Sequence, residues 1–496
     1  MEKRESFNSR LGFILVSAGC AIGLGNVWKF PYICAKYGGA AFILIYLLFL
    51  VILGFPILMT EYAIGRGSRK SICSAYKEIE TKNSRFHMNK YFNLSGNYIL
   101  MMFYTMVCGW MVNYSIKMGA GTLSGISADE VAGVFGTMLA NPTEMIIYAF
   151  IVIVVAFGIC GIGLNKGVEK ISKIMMVGLF LIMIVLVCNS LFLDKSVEGL
   201  KYYLVPSKDI FDKYPIGEIV FAAMSHAFFT LSIGIGCMEV FGSYLSKEHT
   251  LVSETINIVV LDTIIALAAG LIIIPACISY GIEPDAGPSL LFITLPNVFN
   301  NMPLGRFFGT LFFIFMSFAA LSTAIGEYES IIGMCMDNWN ISRKKAVMIN
   351  IPLMMVLSLP AILGFNVLSG VTPFGEGSTL MDIEDFIVSQ NLLPLGSITF
   401  ILLVTRKHGW GWNNFIKEVN TGKGIKLSNK LRTYFAYILP LIIAVVYLKG
   451  YYDMFKSSPN LVLWMILSVA LLAITIFFSM PKSFKVSKEV EYEENM

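Results

Sequence analysis

The chain has 496 residues, 56% of them hydrophobic and only 14% charged, with a formal net charge of +4 and a mean hydropathy of +0.71. A water-facing globular surface cannot be built from that balance, and so small a net charge leaves no electrostatic footprint for nucleic acid. A lipid bilayer is the solvent that fits, with the chain as its multi-pass occupant.

Apolar runs long enough for a helix to cross about 30 Å of hydrocarbon recur from end to end. A β-barrel would show shorter, alternating segments. Lys3 and Arg4 before the first run have the look of a secretory signal, and Ser17-Ala18-Gly19-Cys20 faintly resembles a lipoprotein cleavage box. However, Ser17 is polar and the run continues to Tyr32, so the segment is read as a retained helix. Helices are expected near 11–37, 40–65, 93–123, 143–164, 167–193, 217–245, 251–281, 306–337, 344–363, 379–404, 433–450 and 460–480, about twelve in all.

Loops on one side collect Arg66, Arg69, Lys70, Lys77, Lys82, Arg85, Lys90, Lys166, Lys247, Arg343, Lys344, Lys345 and the stretch from Arg406 to Arg432. The opposite loops are poorer, with Lys195 to Lys213 as the main exception. The positive-inside rule therefore puts both termini in the cytoplasm of a cell bounded by this membrane, and an even number of spans agrees. Ile282 to Pro303, with several prolines around the apolar Leu290 to Leu295, reads as an external loop folding back as a lid. The tail after Pro481 reads as solvated and without a fold of its own.

Two glycine interruptions sit mid-span. Ala21-Ile22-Gly23-Leu24-Gly25-Asn26 interrupts the first helix and Ser232-Ile233-Gly234-Ile235-Gly236-Cys237 the sixth. Each mid-helix glycine costs about 1 kcal/mol relative to alanine. Helix breaks there would free amides and carbonyls at the bilayer midplane, where a bound carboxylate or cation would satisfy them. Close helix packing is the alternative, since Gly19 and Gly23 also form G-x-x-x-G. A dinucleotide fingerprint is excluded, because Trp28 stands where the third glycine belongs.

Polar residues inside apolar runs include Glu61, His226, Thr230, Asp262, Thr263, Ser322, Thr323, Glu327 and Glu329. Intramembrane carboxylates cost at least about 2.5 kcal/mol each on insertion scales, and together these groups describe a polar cavity with hard oxygen ligands suited to Na⁺. Nine scattered cysteines, without C-x-x-C spacing, read as small apolar residues and not as metal ligands. With no metal-ligand spacing, no nucleophile beside a base and no soluble domain, an enzyme or a receptor is the weaker reading.

At these residues the sequence resembles the neurotransmitter:sodium symporter family, whose bacterial members include LeuT. The resemblance is carried by Arg10-Leu11-Gly12-Phe13-Ile14-Leu15, by Gly23-Leu24-Gly25-Asn26-Val27-Trp28-Lys29-Phe30-Pro31, by Gly38-Gly39-Ala40-Ala41-Phe42 and by Phe228-Phe229-Thr230-Leu231-Ser232. It implies an all-α polytopic fold with a 5+5 inverted repeat and broken helices 1 and 6. The whole chain, 1–496, would be one transporter domain. It would comprise an N-terminal segment 1–10, repeat one 11–193, repeat two 217–405, helices eleven and twelve in 429–481, and a cytoplasmic tail 482–496.

The implied function is Na⁺-coupled symport of a small amino acid by alternating access, with two Na⁺ ions and no enzymatic activity; a proton-coupled carrier of the same architecture is the alternative. Two inward Na⁺ charges at about 100 mV would supply about 4.6 kcal/mol. By resemblance, the first Na⁺ takes the Ala21 carbonyl, the Asn26 side chain, Thr230, Asp262 and a substrate carboxylate. The second takes the carbonyls of Gly19, Ile22 and Ala319 with the hydroxyls of Ser322 and Thr323. The substrate carboxylate would meet amides near Leu24 and Gly25 and the Tyr104 hydroxyl, and its ammonium the carbonyls near Ala21, Phe229 and Thr230. Leu100, Phe229, Ser232, Ile235, Thr323 and Glu327 would surround its side chain. Lys29 with Asp385, and Arg4 with Asp337, resemble the outer and inner gates, lysine replacing the more usual arginine.

Four positions stand out against the family pattern. Gly23 takes the place of the aspartate of monoamine carriers, which favours an amino acid. Asp262 stands beside Tyr46, His226 and Thr230 where chloride-dependent members have asparagine, so its charge is expected to replace chloride. Glu327 puts a carboxyl group in the pocket wall, expected to receive a donor on the substrate side chain. Val177 stands where bacterial relatives often have a proline that helps helix five unwind. Helices eleven and twelve could serve a homodimer.

Overall fold

Runs of Leu, Ile, Val and Phe with no polar neighbours in lipid must satisfy their own backbone, and the helix is the open structure that does so. The computed structural model describes residues 5–206, 209–281 and 289–483, and it is helical throughout, with one isolated bridge between His249 and Lys423 and no strand among those residues. Among the described residues, ten helices are long and apolar enough to span. They are α3 (Ala40–Ser68), α4 (Phe86–Ala120), α5 (Pro142–Gly161), α6 (Leu164–Leu191), α9 (Leu251–Ser279), α10 (Gly305–Trp339), α11 (Arg343–Leu363), α12 (Leu380–Thr405), α13 (Asn429–Phe455) and α14 (Leu461–Phe478).

The two remaining spans are broken at the expected glycines. The first divides into α1 (Arg10–Ala21) and α2 (Gly25–Lys36), bent by 55°. The sixth divides into α7 (Ile216–Phe229) and α8 (Cys237–Tyr244). Between them Ser232, Gly234 and Gly236 take φ of +49°, +106° and +84°. Left-handed backbone at alternate positions suits glycine and ends any helix. The G-x-x-x-G packing alternative also holds in part, since a Cβ at Gly19 would lie 3.2 Å from Met176 Sδ on α6.

α1 and α2 pack on α9 and α10, while α7 and α8 pack on α3, so both breaks lie inside the bundle. α14 has only 11% of its apolar window buried, which leaves its surface to lipid. α6 begins with a π-type turn at Leu164–Glu169 and then runs unbroken through Val177. A Cβ at Gly167 would lie 2.0 Å from the Ile159 carbonyl oxygen, so the close approach of α5 requires glycine there.

Short helices Ile72–Ile79, Ala128–Ala140, Ser196–Leu204 and Trp412–Val419 were not expected. They are too short for a hydropathy signal, although the Ser127–Glu130 capping box at Ala128–Ala140 is legible as a start signal. The expected lid is helical over Leu290–Thr294 and Leu295–Asn301. Its Phe292 packs 5.8 Å from Trp110 and 4.8 Å from Tyr114, while 282–288 lie outside the described residues.

Candidate functional site around the two helix breaks

Unwinding at Ile22–Leu24 lets Asn26, at the start of the second half-helix, turn its side chain toward spans six and seven. Its Oδ1 accepts from the Gly23 amide at 3.2 Å. Its Nδ2 donates to Thr230 Oγ1 at 2.9 Å and to Asp262 Oδ1 at 2.8 Å. Thr230 in turn donates to Asp262 Oδ2 at 3.0 Å. Three spans thus bring Asn26, Thr230 and Asp262 to one buried point, next to Ala21 where α1 ends. Thr230 and Asp262 offer hard oxygens, one of them a carboxylate, the chemistry Na⁺ prefers, and Asn26 turns its amide nitrogen to both.

A second oxygen cluster lies on the other side of α1. Thr323 Oγ1 sits 3.4 Å from the Gly19 carbonyl oxygen, 3.0 Å from Cys20, 3.3 Å from Ile22 and 3.3 Å from Ala319. Ser322 Oγ donates to Ala319 at 2.9 Å. The five residues expected to hold a second Na⁺ are therefore adjacent, because the end of α1 leaves its last carbonyls free of helical partners.

Tyr104 closes the space between the clusters. A Cβ added at Gly23 would lie 2.8 Å from its hydroxyl and 2.7 Å from Thr323 Oγ1. The Tyr104 hydroxyl is buried and faces Thr323. The Phe229 ring covers Gly25, where a Cβ would meet it at 3.0 Å. Ser232 Oγ donates to the Cys20 carbonyl at 3.4 Å, joining the two breaks. Ile235 follows in the sixth break and packs against Gly96 on α4, Leu100 is partly buried against the core, and Glu327 is fully buried beside the Cys237 thiol. The Leu24 amide lies beside Tyr104.

Not every freed backbone group waits for a bound solute. Glu61 on α3 accepts from the Gly234 amide at 2.5 Å, and Asn97 on α4 donates to the Ile235 carbonyl at 3.0 Å. Asn93 reaches the Gly234 carbonyl at 3.5 Å. These side chains brace the sixth break, which sequence alone left to a ligand. The signal was available, since Asn93 and Asn97 are amides one helical turn apart in an apolar run.

His226 packs at a tilt against Phe30 at 5.6 Å and Tyr46 at 5.4 Å, and Tyr46 in turn lies near Thr230 and Asp262. The outer pair is not joined in this conformation. Lys29 places its ammonium 4.0 Å above the Phe229 ring, and Asp385 accepts from Ser389 at 2.6 Å. Asp337 accepts from the Ser71 amide at 2.6 Å, and Arg4 lies outside the described residues. The strongest closure is one that sequence did not pair. Arg343 grips Glu329 through both nitrogens at 2.6 and 2.8 Å and Glu5 at 2.6 Å, while Tyr244 donates to Glu329 at 2.8 Å.

The chain matches the family described as "Sodium:neurotransmitter symporter family" over residues 4–127 and 136–487. It is 34% identical to an uncharacterized sodium-dependent transporter of Bacillus subtilis over 454 residues, covering 90% of this chain and 98% of that one. It is 31% identical to an uncharacterized sodium-dependent transporter of Haemophilus influenzae, covering 90% and 98%. Among solved structures it is similar to MhsT in complex with L-phenylalanine, with a TM-score of 0.80 and 34% identity over 90% of this chain and 99% of that one. These relatives are transporters and not enzymes, and with two broken spans around two oxygen clusters in the same all-helical fold, the chain belongs to the sodium:neurotransmitter symporter family.

Proposed function

We propose that this sodium-dependent transporter carries an amino acid inward together with two Na⁺ ions by alternating access, without needing chloride. One observation supports the reading above others: the Asn26 side chain, Thr230 and Asp262 meet at one buried point beside the Gly23 amide, where a cation and a substrate carboxylate would share one site. An ion that touches the substrate binds better when the substrate is present, and the reverse follows by linkage. The Ser322 and Thr323 cluster takes the second ion.

Tyr104 and Thr323 occupy the room that an aspartate at Gly23 would need, so an amine without a carboxylate has no counter-charge there. Asp262 supplies a fixed negative charge beside Tyr46 and His226, in place of an anion. The relative MhsT binds phenylalanine, and Leu100, Phe229 and Ile235 offer apolar surface of the same kind. Glu327 adds an acceptor, which favours a side chain ending in a hydroxyl or an indole N–H. The distribution of lysine and arginine supports a cytoplasmic location for both termini.

The deciding experiment is uptake into proteoliposomes under an imposed Na⁺ gradient, competed by each common amino acid, with choline or gluconate replacing Na⁺ or Cl⁻. Choline is expected to abolish uptake and gluconate to leave it intact. A strict chloride requirement would refute the role given to Asp262. Glu327→Leu is expected to move the preference from donor-bearing to purely apolar side chains, and an unchanged ranking would remove Glu327 from substrate choice.

A further inference from the structure

Two of the cysteines that look like small apolar residues in sequence are set apart by the fold. Cys20 is the penultimate residue of α1, and Cys237 opens α8. The two helix breaks bring their sulfur atoms to 3.4 Å. Glu327 on α10 completes the group, and the ligand atoms of all three lie within 4.8 Å of one another. All three residues are fully buried. The carboxylate of Glu327 faces the Cys237 thiol and has no cation beside it among the described residues, a costly arrangement for a carboxylate unless something pairs with it.

We propose that Cys20, Cys237 and Glu327 form a site for a soft divalent cation of the zinc and cadmium class, separate from the sodium sites, and that its occupation arrests transport. Two sulfurs on a tetrahedral zinc at about 2.3 Å each would stand about 3.8 Å apart, so the thiols need to part by only a few tenths of an ångström. Glu327 gives the third ligand, and the fourth position is open to water. The sodium clusters are built of hard oxygens, whereas paired thiolates select a soft ion. On binding, both thiols become thiolates and two protons leave to solvent, so affinity rises with pH. The bound ion would tie α1, α8 and α10 together and take the Glu327 oxygens away from any substrate side chain.

The test is Cd²⁺ titration of the purified full chain under reducing conditions, followed by the ultraviolet cadmium–thiolate charge-transfer band. The wild type is expected to bind one more equivalent than Cys237→Ser, with Zn²⁺ displacing it and Mg²⁺ having no effect. Glu327→Gln keeps both thiols and is expected to weaken binding at least tenfold, which guards against a serine variant that fails to fold. In proteoliposomes, Cd²⁺ is expected to block Na⁺-driven uptake in the wild type and not in Cys237→Ser. Equal stoichiometry and equal bands in wild type and Cys237→Ser would overturn the proposal. The titration needs no transported substrate, so its failure is distinct from failure of the symport reading.

Discussion

The two ends of the solute path are closed by different kinds of force. On the face that carries the N-terminal segment, charges are paired and mostly out of solvent. Arg343 joins Glu329 and Glu5, Lys173 joins Glu169 at 2.6 Å, Arg10 joins Glu254 at 2.8 Å, and Arg66 joins Glu418 at 2.7 Å. Glu169 also accepts from the Asn8 amide at 2.9 Å and the Ser9 hydroxyl at 3.2 Å, which pins the N-terminal segment to the start of α6. On the opposite face Lys29 rests on Phe229, and Asp385 is satisfied by Ser389 instead. A cation–π contact gives about 0.5 to 2 kcal/mol, whereas removing one partner of a buried ion pair costs about 3 to 5 kcal/mol. In this conformation the N-terminal face is the firmly shut one, and the opposite face is held by a contact that thermal motion can open.

The sharpest way to break this contrast is Arg343→Ala, which leaves Glu329 buried without its cation. A cost of about 3 to 5 kcal/mol corresponds to a hundredfold or greater shift toward opening of the N-terminal face. The reporter is already in place, since Arg343 donates to the Cys160 carbonyl at 3.1 Å and Cys160 is buried. Labelling of Cys160 by a maleimide is expected to rise steeply while uptake falls. Pairing Arg343→Met with Glu329→Gln should recover part of the protection, because no buried charge is then left alone.

Gly12→Ala should act on the same face more weakly. A Cβ there would lie 2.0 Å from Glu169 Oε1, so the carboxylate must leave Ser9 and Asn8. About 1 to 3 kcal/mol of lost hydrogen bonding predicts a roughly tenfold loss of uptake, and Cys160 labelling should rise less than in Arg343→Ala. The smallest effect is expected at the other face, from Lys29→Arg. Arginine offers a planar fork that can take a carboxylate through two bonds, so it should draw Asp385 into a pair and slow turnover a few-fold. Cys160 labelling should not change in Lys29→Arg. If Lys29→Arg altered it as much as Arg343→Ala, the two faces would not be closed independently.

The apolar runs and the positions of the glycine interruptions were legible because each is a local signal. A span is about 20 apolar residues, and a glycine pair weakens the helix where it stands. The polar residues most expensive to insert, Asp262, Glu327 and Glu329, were legible for the same reason. What they touch was not. Nothing near Glu329 in sequence names Tyr244, 85 residues away, and Glu61 gives no local sign of holding the Gly234 amide, 173 residues away.

By itself, then, the sequence determined that this protein spans a membrane many times and marked two glycine pairs at which a span could break or pack closely. Helix formation in lipid and its failure at unsubstituted backbone depend on a few adjacent residues. The tertiary structure alone decided which side chains brace the breaks, which face is shut, and that Cys20 and Cys237 meet beside Glu327. Those outcomes depend on the packing of helices far apart in the chain, and the physical reason is that an unpaired polar group in a low-dielectric interior takes whichever partner the fold carries to it.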